Sequence, residues 1–266
     1  MRIALGLEYE GAAFCGWQTQ PSGCGVQDSL EAALGAVAGE PLETVCAGRT
    51  DAGVHALQQV VHFDTAVVRP DTAWVRGVNT SLPGSVAVLW MREVPEQFHA
   101  RYSARSRCYR YILLNHPVRP AAEHGRVGWF HLTLDVGRMR EAAGFLTGER
   151  DFSAFRSSEC QARSPVRRLD RLDVERRGDY VVFDFHANAF LHHMVRNLMG
   201  ALIFVGKGKH RPEWVGEVLS SRDRSQGAPT FDAAGLYLAR VEYDAAWALP
   251  ADSARSGLGH ARMAAA

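Results

Sequence analysis

Cysteine is scarce in this sequence. The five present, Cys15, Cys24, Cys46, Cys108 and Cys160, are odd in number and scattered. No two stand as C-x-x-C. That argues against a zinc site and for reduced thiols rather than a disulfide scaffold. Long apolar runs are missing too, and no segment approaches the ~20 uncharged residues that a bilayer-spanning helix requires. The opening stretch meets Arg2 and Glu8 too soon to be a secretory signal. Neither a dinucleotide fingerprint nor a phosphate-binding loop occurs, so no cofactor is expected. These absences leave a soluble, cytoplasmic protein without a membrane partner.

Charge of one sign is missing locally. No acid lies between Glu96 and Glu123, a span holding Arg101, Arg105, Arg107, Arg110 and Arg119. None lies between Asp184 and Glu213, where Arg196, Lys207, Lys209 and Arg211 occur. The whole chain nevertheless carries a net charge of only +1. A basic face balanced by acidic surface elsewhere accounts for both facts, and a polyanion suits such a face. One acid is conspicuously isolated: Asp51 is the only one between Glu43 and Asp64. Arg49 stands beside it, and Gly48 and Gly53 bracket it. A lone carboxylate on a glycine-flanked turn suits a catalytic acid, base or nucleophile. It equally suits an Asx-turn, in which the side chain only closes its own turn.

With 266 residues, 47% of them hydrophobic, the chain can bury a sizeable core as one large or two small domains. Arg2–Tyr9 alternates as a half-buried strand. Val26, Leu30, Ala33, Leu34 and Val37 recur at helical spacing, and Gly39 and Pro41 end that helix. Strands are predicted over Gln58–Phe63 and Ser85–Val94, with a short helix over Trp74–Asn79. A second cycle runs through a strand at Tyr109–Asn115, a helix containing Met139, Ala142, Ala143 and Leu146, and strands near 168–175 and 180–185. Asn188–Asn197 opens an apolar helix continuing through Leu198, Met199, Leu202 and Ile203. Arg196 sits at the flank of its stripe, where partial burial would demand an anion. Adjacent residues of a helix diverge by about 100°, so His192 and His193 make poor co-ligands for a metal. The reading is α/β (α+β): two similar halves, each a mainly antiparallel sheet backed by helices; that they meet at a central RNA-binding cleft is what the resemblance given below implies. The halves are 1–104 and 105–247, and 248–266, rich in small residues, is expected to be a mobile tail.

Several separated segments carry a resemblance. Gly48-Arg49-Thr50-Asp51-Ala52-Gly53-Val54-His55-Ala56 resembles the signature of the TruA family of tRNA pseudouridine synthases. Glu10-Gly11 followed by Gly16-Trp17-Gln18, Phe98-His99-Ala100-Arg101, Tyr109-Arg110-Tyr111, Asn188-Ala189-Phe190 with His193-Met194-Val195-Arg196-Asn197, and Gly235–Tyr243 resemble its other motifs, in order. The sequence departs at Glu10, where the family commonly has Asp, at Thr19, where it often has Arg, and at Phe231-Asp232, where it usually has Ala-Pro.

The resemblance implies that uridine is isomerised to pseudouridine in the anticodon stem-loop of tRNA, at positions 38, 39 and 40, without cofactor or metal. Asp51 would be the nucleophile at the sugar or the base at its 2′ position, with Arg196 as its buried partner. The target base must leave its stack. Arg49 would then fill the vacated space and Tyr109 lie against the flipped uracil. His99, Arg101, Tyr102, Gln161 and Arg163 complete the substrate-binding set, with the Arg105–Arg110 stretch gripping phosphate. The resemblance also implies a homodimer. Two other classes compete on the residues alone. A module that binds RNA without altering it explains the stretch Phe98–Tyr111, where arginines alternate with aromatics, but not Asp51. A metal-dependent nuclease would want clustered carboxylates, which the acid-free stretches argue against.

Overall fold

Arg2–Tyr9 forms β1, the central strand of an antiparallel trio, but Ile3 to Leu7 are all buried, so it is covered on both faces rather than half-buried as its alternation predicts. In this computed structural model, which describes residues 1–250, the chain divides at Arg105–Ser106 into two compact units. Among the described residues, the first comprises Met1–Arg105 and residues 237–250. In it β1 pairs antiparallel with β3 (His55–Asp64) on one side and β4 (Val86–Val94) on the other. A two-residue β2 (Val45–Cys46) also pairs with β3. The last strand, β10 (Leu236–Tyr243), runs parallel to β3 through Tyr237 opposite His55. Although late in sequence, it is thereby part of the first unit.

Helix α1 (Val26–Ala38) buries Val26, Leu30, Ala33, Leu34 and Ala38. Its start is tied by Asp28, whose carboxylate accepts the Gly25 N–H at 2.8 Å, and it ends at Gly39 in the left-handed conformation. The predicted second helix begins as a π-helical turn, Ala73–Gly77, which buries Trp74, and continues as the one-turn α2 (Val78–Ser81).

Cys46, Cys108 and Cys160 are free thiols as expected, but the other two cysteines are not. Cys15 and Cys24 are disulfide-bonded, their Cα atoms 5.4 Å apart. The loop between β1 and α1 folds back so that the Cys15 N–H donates to the Cys24 carbonyl at 2.9 Å. A separation of nine residues offers no sequence signal for that approach.

In the second unit, β5 (Ala104–Asn115), β9 (Tyr180–Ala187), β8 (Val166–Arg177) and β7 (Gly148–Asp151) are successive antiparallel neighbours. The short β6 (Gly128–Phe130) runs parallel to β5. Helices α3 (Val136–Gly144), α4 (Met194–Gly206) and α5 (Trp214–Ser221) complete it. The α4 helix starts later than its sequence suggests. His193 adopts φ 62°, the left-handed region, so residues 188–193 precede the helix. His192 and His193 are therefore not diverging helical neighbours: their rings lie 4.0 Å apart. Of the expected tail at 248–266, only residues 248–250 are described, and the Ala248 carbonyl accepts a bond from Arg92 at 3.2 Å.

Candidate active site

The signature segment leaves β2 at Cys46 and enters β3 at His55, so Asp51 rides on the connecting loop. Three braces hold that loop. Gln59, a polar residue facing the buried side of β3, donates its amide to the Gly48 carbonyl at 2.7 Å and lies 3.5 Å from the Tyr9 hydroxyl. That hydroxyl is 2.8 Å from Thr50 Oγ1. Burial pushes the Tyr9 phenol well above its ordinary pKa and keeps it a neutral hydrogen-bonding group. The second brace is the Gly16–Trp17 loop. The Trp17 N–H donates to the Thr50 carbonyl at 2.9 Å, and a Cβ at Gly16 would sit 2.8 Å from that same oxygen. With φ 99°, Gly16 is glycine for two reasons, backbone conformation and close approach. The third is His55, buried and stacked 4.6 Å from Tyr237. Its Nδ1 accepts the Gly11 N–H at 2.9 Å and lies 3.7 Å from the Glu10 carboxylate.

The turn itself is closed by the backbone, with the Val54 N–H donating to the Asp51 carbonyl at 3.1 Å and Gly53 at φ 79°. Asp51 is half-buried and Arg49 is exposed.

The His99–Tyr102 turn belongs to the same unit. His62 Nδ1 accepts the Ala100 N–H at 3.2 Å, and the Tyr243 hydroxyl donates to the Ala100 carbonyl at 2.6 Å. Rings step outward from the core: His62 to His99 is 4.8 Å, and His99 to Tyr102 is 4.3 Å. Tyr102 is 75% exposed, with the Arg101 guanidinium 5.7 Å from its ring centre. The positive charges of Arg49 and Arg101 both act to lower the pKa of the Cys46 thiol. Burial outweighs them and pushes that thiol up to about 12, leaving it inert. Burial, seconded by Arg2, lowers His62 to about 4.

Most of the expected Arg105–Arg110 grip is engaged within the protein. Arg105 pairs with Asp244, buried Arg107 donates to the Asn188 carbonyl at 3.0 Å, and Arg110 forks onto Asp184 at 2.8 and 2.9 Å. Sequence showed an acid-free run, but strand pairing and packing supply acceptors from elsewhere.

In the second unit, Tyr109 is 8% exposed on β5, with Phe190 edge-on at 5.0 Å. Arg196, half-buried in the first turn of α4, donates from Nε to the Phe231 carbonyl at 2.9 Å, and its own carbonyl accepts the Phe231 N–H. Phe231, one of the departures from the family pattern, thus clamps Arg196 through its backbone, which any residue but proline in that position can do. Gln161 and Arg163 are exposed on the loop before β8 and form no hydrogen bond or ion pair with the described residues.

Sequence reasoning assigned no role to Asn197. It is buried, donates to the Phe155 carbonyl at 2.8 Å and accepts from Arg224 at 3.0 Å and Thr230 at 2.6 Å. It ties the start of α4 to two loops. Its only signal was a polar residue within an apolar stripe, as with Gln59 in its strand.

A braced carboxylate beside arginines, in a unit with an exposed aromatic step, has the parts of an enzyme that works on RNA. A family model described as tRNA pseudouridine synthase matches residues 7–103 and 142–244, and the chain belongs to that family. Among its relatives, tRNA pseudouridine synthase A of Thiobacillus denitrificans is 62% identical, over 96% of this chain and 98% of that protein. The proteins of that name from Aromatoleum aromaticum and Methylobacillus flagellatus are 61% and 54% identical, over 95% and 97% of this chain and 96% and 99% of theirs. A solved Cbf5-Nop10-Gar1 complex aligns with 89% of this chain and 48% of its own at 14% identity, with a TM-score of 0.38, too low to bear on the fold.

Proposed function

We propose that the protein isomerises uridine to pseudouridine in the anticodon arm of tRNA, with Asp51 as the acting carboxylate. The bond from uracil nitrogen to the sugar breaks, the base turns, and a bond from carbon replaces it. No atom or electron is gained or lost, so the reaction needs no co-substrate. The observation that carries the reading is the Asp51 loop: a single acid on three independent braces, in a chain 62% identical end to end with a tRNA pseudouridine synthase A. Such bracing suits a group that must meet one sugar atom within a fraction of an ångström.

The reacting uridine is flipped out of its stack, with exposed Arg49 entering the space it leaves. Arg196 and Tyr109 take their roles at the uridine from the family resemblance. Arg101 and Arg163 meet phosphate, while His99, Tyr102 and Gln161 offer ring and amide contacts. The active form is a homodimer in the cytoplasm. For that compartment the Cys15–Cys24 bond is unusual, but the backbone bond between the two residues does not require it. No helix among the described residues is long and apolar enough to cross a membrane.

The test is to incubate purified protein with unmodified tRNA in EDTA and map pseudouridine. Conversion confined to the anticodon arm is expected. Binding without any conversion would favour the RNA-binding module, and conversion only with a divalent ion on prefolded tRNA would overturn the metal-independent chemistry.

A further inference from the structure

The C-terminal end of α4 carries a cluster that the reaction does not use. Lys207 and Lys209 flank Gly208, and their ammonium nitrogens lie 4.4 and 4.1 Å from the centre of one ring, Phe204. Lys207 also reaches Phe130, at 5.9 Å. Beside Phe204, His210 and Trp214 stack at 4.0 Å with their planes 10° apart. The turn is rigid: the Lys209 N–H donates to the Phe204 carbonyl at 2.9 Å, and Arg138 holds the His210 carbonyl at 3.0 Å. Neither lysine has a carboxylate partner among the described residues. The nearby Glu217 is taken by Arg211, and Glu213 forms no ion pair there.

Two like charges seated on one ring repel each other. A ring face attracts each cation but does not neutralise it. An anion spanning both would. The ledge sits eleven residues along α4 from Arg196, roughly 16 Å at the helical rise. Successive phosphates of a stacked strand advance about 3.4 Å along its axis. If Arg196 serves the reacting uridine, as the function proposed above has it, an RNA segment on this ledge lies about five nucleotides away, roughly the length of the anticodon stem and so at its junction with the tRNA body.

We propose that Lys207 and Lys209 form a second RNA-contact surface that binds backbone phosphates of the tRNA body outside the anticodon arm. It adds affinity without entering the chemistry. The contact is electrostatic and reads no sequence.

The experiment compares full-length tRNA with an isolated anticodon stem-loop hairpin, measuring Kd against salt for the wild type and for K207Q/K209Q. Glutamine keeps a polar chain over the ring and removes the charge. With full-length tRNA, the log–log salt slope should become shallower by up to about two, and Kd in low salt should rise about tenfold or more. Hairpin binding and turnover at saturating tRNA should be unchanged. Equal slope loss with both RNAs would place the lysines on the anticodon arm and overturn the proposal. No change with either would reduce them to a helix cap. A changed oligomeric state by light scattering would make the ledge a protein–protein surface instead. These slopes need no pseudouridine to form, so failure of the enzymatic reading shows separately in the mapping.

Discussion

Asp51 carries the enzymatic reading, and its surroundings make a sharp prediction. The turn that holds it has a backbone bond of its own, and its braces act on Gly48, Thr50 and the residues around them; asparagine keeps the size and hydrogen bonding of a turn residue. Asp51→Asn should therefore fold normally. Turnover should fall below detection while tRNA affinity stays within about tenfold, roughly 1.4 kcal/mol, since affinity is spread over many phosphates. Near wild-type turnover in this variant would return Asp51 to a turn role. Arg196→Ala should likewise cost turnover more than affinity. Its stability should change too, because its bond to the Phe231 carbonyl is lost.

Among the elements, the His99–Tyr102 turn rests on a histidine whose pKa is shifted by burial. His62 accepts the Ala100 N–H at Nδ1 and bonds the Val45 backbone, an arrangement suited to the neutral ring. Protonation at Nδ1 would break the first bond. In the folded protein its pKa is about 4, against ~6.5 for an unfolded histidine. Between those values the unfolded chain binds the extra proton, so folding is weakened as pH falls. Stability from this group should be complete above about pH 6.5, decline towards pH 4, and change no further below that. His99 shifts in the same direction, by burial first and then Arg2 and Arg101. Denaturant melts across that window, repeated for His62→Gln, check this. The variant should be less stable at neutral pH and flatter with pH. An unaltered pH slope would mean that His62 does not titrate there.

For the whole molecule the decisive property is how charge is displayed. A net charge of +1 conceals arginines with very different duties. Arg105, Arg107 and Arg110 are paired with Asp244, the Asn188 carbonyl and Asp184, and Arg107 is buried, while Arg101, Arg105 and Arg163 are exposed. Substituting Arg101 or Arg163 with Ala should weaken tRNA binding and flatten its salt dependence by at most about one unit of log–log slope each. Arg110→Ala should leave the slope unchanged and lower the melting temperature. If Arg110→Ala flattened the slope and the other two did not, the division between structural and RNA-facing arginines would be reversed.

The sequence by itself determined the isolated acid, the strands β1 and β4 to within a residue, the α1 stripe and the basic stretches. Each is a local property: alternation or helical spacing reports which side of an element is buried, and an absent acid is visible wherever it is absent. Tertiary structure decided the partners. Gln59 finds Gly48, Tyr9 finds Thr50, His62 finds Ala100, Asn197 finds Phe155 and Thr230, and Cys15 meets Cys24. It also set the start of α4, because His193 turns left-handed where the apolar pattern runs on smoothly, and it placed β10 beside β3. Periodicity tells a side chain that it will be buried, but not against what. Which donor meets which acceptor across tens of residues is settled only when whole elements pack, because a buried polar group must be satisfied by whatever that packing brings within about 3 Å.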